Sequence, residues 1–114
     1  MTDTEPPLHI TLDAAIARLR NEPVPSVALF EWGDVVVELF APRGVDRQQP
    51  HDRDEVYIVI SGSGTFRRGD QDVIFGPGDL LFVPARAPHR FKTFTEDLRT
   101  WVIFFDPSAA PLDR

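Results

Sequence analysis

Between Val27 and Phe105 the chain runs in short apolar stretches rich in Val, Ile, Phe and Trp, each closed by a cluster of Gly, Pro or Asp. This pattern predicts an all-β domain. Strands are expected over 27–32, 35–41, 55–60, 64–68, 72–75, 80–84, 89–94 and 98–105. The intervening turns contain Gly33-Asp34, Gly62, Gly64, Gly69-Asp70 and Gly76-Pro77-Gly78-Asp79, residues that supply the positive or fixed φ of tight turns. Such a set of strands fits a sandwich or barrel. One short helix is expected before them. Thr11 or Asp13 can cap Ala14 to Arg20, Leu12, Ile16 and Leu19 stand at helical spacing, and Pro23 stops the run. The stretches 1–7 and 108–114 read as tails.

Length and composition narrow this picture. A chain of 114 residues predicts a single domain, 1–114, with its core at about 27–105, because two cores would each be too small to stabilise themselves. Twelve Lys and Arg against eighteen Asp and Glu give a net charge of −6, which argues against nucleic acid as a partner. No apolar stretch approaches the ~20 residues needed to cross a bilayer, so no membrane partner is expected. The first seven residues are polar and acidic, without the basic start of a secretory signal, and a cytoplasmic location is expected. The absence of Cys excludes disulfides, thiol nucleophiles and iron–sulfur clusters. Any metal falls to His, carboxylates and neutral oxygens.

The three histidines divide unequally. His9 has no other ligand type near it and reads as a surface residue. His51 lies in Gln49-Pro50-His51-Asp52-Arg53-Asp54-Glu55, where Gln49 and His51 share one side of an extended strand. Glu55 is too far along a straight strand, about 13 Å, to share an ion with His51. A tight hairpin at Asp52-Arg53-Asp54 would fold it back, so that Gln49, His51 and Glu55 converge. His89 opens a strand in which Phe91 and Thr93 share its face. Two imidazoles and one carboxylate suit a divalent first-row metal with open positions, and the Gln49 amide oxygen can add a fourth ligand. The competing reading makes His51 a loop histidine, Glu55 a solvated carboxylate and His89 a hydrogen-bonded residue at a barrel mouth.

These residues resemble the two motifs of the cupins. Gln49, His51, Glu55 and Gly62 keep the spacing of the first, with Gln49 standing where its first His belongs and Gly44 one residue closer than the pattern asks. Gly78, Pro84 and His89 are in register with the second, with Arg86 in place of its inner Gly and Thr93 in place of its Asn. The resemblance implies a double-stranded β-helix, a jelly-roll barrel, with the metal at its centre. It also implies a homodimer, for which 24–32 is apolar enough to serve as the pairing edge. Because an amide oxygen is a poorer donor than imidazole to late first-row ions, Gln49 favours iron or manganese, with zinc or nickel as further options.

Tyr57 shares strand parity with Glu55 and should point inward, either donating to a metal-bound water or substrate oxygen or packing in the core with its hydroxyl satisfied. Phe40, Phe66, Phe91, Trp101 and Phe104 are the other aromatics able to line a pocket, while Arg43, Arg53 and Arg86 either meet an acidic substrate or are solvated loop charges. The leading functional reading is a metal-dependent small-molecule enzyme, an oxidoreductase of dioxygenase type, a lyase or an isomerase, in which Glu55 or Tyr57 handles a proton. The alternative is a non-catalytic cupin that binds or senses a small ligand with weak or no metal.

Overall fold

A computed structural model describes residues 5–107; the tail expected over 108–114 and the first four residues of the other lie outside the described residues. Helix α1 covers Leu12–Arg20, with the Thr11 hydroxyl accepting the Ala14 N–H at 3.1 Å as its N-cap. It begins two residues before the expected start because Thr11, not Asp13, makes the cap. Eight strands follow: β1 (Ser26–Trp32), β2 (Val35–Phe40), β3 (Asp54–Ser61), β4 (Gly64–Arg68), β5 (Gln71–Phe75), β6 (Leu80–Val83), β7 (His89–Phe94) and β8 (Arg99–Phe105). All pairings are antiparallel.

The strands form a five-stranded sheet, β1-β2-β8-β3-β6, and a three-stranded sheet, β5-β4-β7. Tyr57, Val59, Val83 and Val102 from the first meet Phe66, Phe75 and Phe91 from the second in one buried cluster. Side chains alternate in and out along β3 and β8, so Glu55, Tyr57 and Val59 face the interior from one strand and Thr100, Val102 and Phe104 from the other. The opposite face of the larger sheet is covered by α1. Ala15 and Leu19 pack there with Val27, Leu29 and Leu39, and Trp101 joins them instead of the barrel interior. The Arg18 guanidinium ties the helix down by donating to the carbonyls of Ala28 and Leu29 at 2.7 and 3.1 Å.

One local expectation is overturned. Residues 41–53 contain no strand, and Asp52-Arg53 forms a bend that leads directly into β3, so no hairpin precedes Glu55. Among the described residues no helix is long and apolar enough to cross a membrane.

Within the smaller sheet, β4 and β7 approach closely where β4 leaves its turn. A Cβ on Gly64 would run into the Thr93 carbonyl of β7, whereas one on Gly76 would meet nothing within 4 Å. Gly64→Ala is therefore expected to cost about 3 kcal/mol in urea unfolding and Gly76→Ala well under 1 kcal/mol. Equal costs for the two would show that the close packing is absent in solution.

Candidate metal centre

Three separated segments deliver the site. Strand parity turns Glu55 inward, where its side chain is 1% exposed. His89 is the first residue of β7, and its Nδ1 lies 2.9 Å from the Ala87 carbonyl, which places the proton of a neutral ring on Nδ1 and frees Nε2. His51 comes from the strandless segment before β3. That segment is clamped by the turn before β7: the Arg86 N–H donates to the His51 carbonyl at 2.5 Å, and the Ala85 N–H donates to the Asp54 carboxylate at 2.8 Å. Arg86 does this with φ at +68°, a left-handed conformation at the position where the cupin motif carries glycine.

The ligand-type atoms of His51, Glu55 and His89 all lie within 4.8 Å of one another. Glu55 Oε1 is 3.1 Å from His89 Nε2 and 3.7 Å from His51 Nε2, and the two imidazole centroids are 5.3 Å apart. Despite this proximity none of the contacts has hydrogen-bond geometry. His51 Nε2, His89 Nε2 and both Glu55 oxygens are buried without a hydrogen-bond partner. Orphaned buried groups of this kind are costly, and a cation at their meeting point would satisfy all of them at once. The donor set fits a divalent ion.

Behind the trio stands a polar support that the residues alone did not reveal. Buried Asp46 accepts the Phe91 N–H at 2.9 Å, the Gln48 N–H at 3.0 Å and the Gln48 side-chain amide at 2.9 Å. The Gln48 amide oxygen in turn accepts the Tyr57 hydroxyl at 2.9 Å. Tyr57 is thus inward and fully buried, as its parity predicts, with its proton directed to Gln48. Gln49 is exposed and borders a surface hollow, whereas Gln48 borders the cavity that His51 and Glu55 line. Residues 49–51 lie outside any strand, so ladder pairing does not fix which way their side chains point.

That cavity has a volume of about 420 Å³. Phe40, Val102 and Phe104 give it apolar walls, Glu38 adds a carboxylate, and Arg43 and Arg47 stand at its exposed edge. Arg53 lies over the Phe104 ring at 4.9 Å, so packing accounts for it. Tyr57, Phe66 and Phe91 form the aromatic floor below, packed edge-on and tilted with centroid separations of 4.8 to 5.6 Å.

Electrostatics follow from this burial. Desolvation first, and the Glu55 charge second, hold the Tyr57 phenol well above its ordinary pKa, so it stays protonated. Burial of His89 favours its neutral form, but Glu55, the Ala87 carbonyl and Asp46 together outweigh that and raise its pKa. Desolvation, then repulsion from Glu55, raises Glu38 against the opposing pull of Arg53, and Glu31 adds to the rise.

The cupin-domain family profile matches residues 36–104. The chain belongs to the cupin family. An uncharacterized protein of Streptomyces coelicolor is 39% identical to this cupin over 64 residues, a match spanning 56% of this chain and 61% of that relative's length. A cupin-2 domain protein of Shewanella frigidimarina superposes with a TM-score of 0.65 at 22% identity, covering 87% of this chain and 94% of its own. A candidate mannose-6-phosphate isomerase of Ralstonia eutropha superposes with a TM-score of 0.58 at 28% identity, over 88% and 99% of the two chains. The jelly-roll architecture expected from the motifs is the one observed.

Glu38 is the cavity group that motif reading misses, although its parity with inward Val36 and Phe40 on β2 carries the signal. Its raised pKa has a definite consequence for stability. A carboxyl with a folded pKa above its unfolded value is neutral in both states at low pH, and destabilises the fold once pH exceeds the unfolded value. Glu38→Gln should therefore raise the melting temperature of the chelator-treated protein by roughly 1–4 °C at pH 7, with the gain fading as pH falls through the ordinary glutamate range. A gain that persists at low pH, or a loss at pH 7, would contradict this account of the cavity.

Proposed function

We propose that this cupin is a metal-dependent small-molecule enzyme whose ion is held by His51, Glu55 and His89. The observation that carries the reading is the convergence of four buried, unpartnered nitrogen and oxygen atoms beside a cavity large enough for a small metabolite. A divalent ion, with iron or manganese favoured, supplies Lewis acidity or redox chemistry to a bound oxygen group when present. The chain itself supplies the rest. Phe40, Val102 and Phe104 exclude water from the bound ligand, and the second Glu55 oxygen is available to hold a proton. Tyr57 acts through Gln48, fixing the amide that borders the cavity, and is a positioning residue in this reading. Gln49, exposed on its loop, stands outside the proposed ligand set.

The likeness to the isomerase candidate of Ralstonia supports isomerase chemistry among the dioxygenase, lyase and isomerase types. One observation favours the alternative of a non-catalytic ligand-binding cupin. The Tyr57 proton is committed to Gln48, which removes the phenol from the groups able to exchange a proton with a cavity ligand. The expected homodimer finds support in β1, an edge strand of the larger sheet on which Trp32 is half exposed.

Elemental analysis of protein loaded with iron or manganese and desalted should find about one equivalent per chain in the wild type. Glu55→Gln and His89→Ala should each lower the retained metal at least tenfold. Wild-type protein that retains no more metal than these variants would refute the metal-dependent reading. Full loading without turnover across sugar-phosphate, keto-acid and diketone panels would favour the binding module.

A further inference from the structure

The outer face of the smaller sheet carries a charge arrangement that the metal centre does not use. Arg67 on β4 and Arg90 on β7 are direct cross-strand partners. Like charges placed opposite one another destabilise a sheet unless something neutralises them. Both arginines line two adjoining surface hollows, one shared with Arg47 and the other with Lys92. The Arg67 Nε donates to the Gly69 carbonyl at 3.1 Å, which fixes its guanidinium and leaves both terminal nitrogens for a ligand. Arg47 and Arg90 have no hydrogen bond or ion pair to their side chains among the described residues.

The carboxylates nearby neutralise this group only in part. Asp72 receives Lys92 at 2.9 Å and lies 3.6 Å from Arg67 Nε. Asp46 also borders one hollow, but its oxygens accept N–H groups from Gln48 and Phe91. Four cations, Arg47, Arg67, Arg90 and Lys92, therefore gather around two carboxylates, Asp46 and Asp72, in a chain of net charge −6. The larger hollow, about 620 Å³, also presents the amides of Gln48 and Gln49 as polar lining.

We propose that this face is a second binding site, taking a small oxyanion, a phosphate or a carboxylate, between Arg67 and Arg90. The planar guanidinium forks of two arginines that line the same hollows match such groups, and the anion relieves the repulsion between them. Residues 46–48 border both this face and the metal cavity, and the larger hollow reaches His89.

The test uses the full chain in sodium chloride, with inorganic phosphate or succinate added at matched ionic strength. In chloride alone, Arg90→Gln should melt about 1–2 °C above the wild type, because it removes an opposed like charge. Calorimetric titration should find wild-type binding at a Kd of about 1 mM or tighter for at least one anion, weakened at least tenfold in Arg90→Gln and in Arg67→Gln. Binding of phosphate alone or succinate alone identifies the class, and the metal content of both variants should equal that of the wild type. An Arg90→Gln protein that is less stable in chloride, or that binds both anions as the wild type does, overturns the proposal. So does a wild type that binds neither anion.

Discussion

A carboxylate with 1% of its side chain exposed and no hydrogen-bond partner is the constraint around which this protein is organised. Glu55 faces two imidazoles whose Nε2 atoms are likewise buried and unpartnered, and the low polarisability of the surroundings makes that arrangement costly without a cation. A fold built only for stability would fill the same positions with apolar side chains of similar volume. The cost is instead concentrated at one point, at the junction of the cavity and the aromatic floor.

The scaffold explains how such a point is maintained. The larger sheet fixes Glu55 by its pairings to Val83 of β6 and Phe104 of β8. The turn before β7 fixes both histidines, through the Arg86 N–H to the His51 carbonyl and the Ala87 carbonyl to His89 Nδ1. Asp46 then braces Gln48, and Gln48 braces Tyr57. Each imidazole and carboxylate is thus oriented by a second group, as a metal site requires of its surroundings. The strained φ of Arg86 is part of the same turn, where positive φ would suit glycine better.

Much of this was legible from residue order. Period-two alternation placed Glu55 and Tyr57 inside, and the spacing of Gly, Pro and His singled out His51 and His89. What was not legible depended on segments without periodicity. The loop before β3 has no strand, so alternation does not say which side chains of 48–51 share a side, and it is Gln48 that borders the cavity. Trp101 was a candidate for the pocket, yet its parity opposite Val102 sends it to the helix side. Glu38 carries no motif, being a single acidic residue in a run of Val and Leu, although its parity with Val36 and Phe40 points inward.

The central claim is that His51, Glu55 and His89 form one cation site. Anomalous X-ray diffraction at the manganese or iron edge, on crystals of the metal-loaded protein, addresses it most directly. The account predicts one strong anomalous peak among the His51 and His89 Nε2 atoms and the Glu55 carboxylate. A fully loaded crystal whose anomalous peak lies elsewhere, or one with Glu55 hydrogen-bonded to the imidazoles and no peak between them, would contradict it.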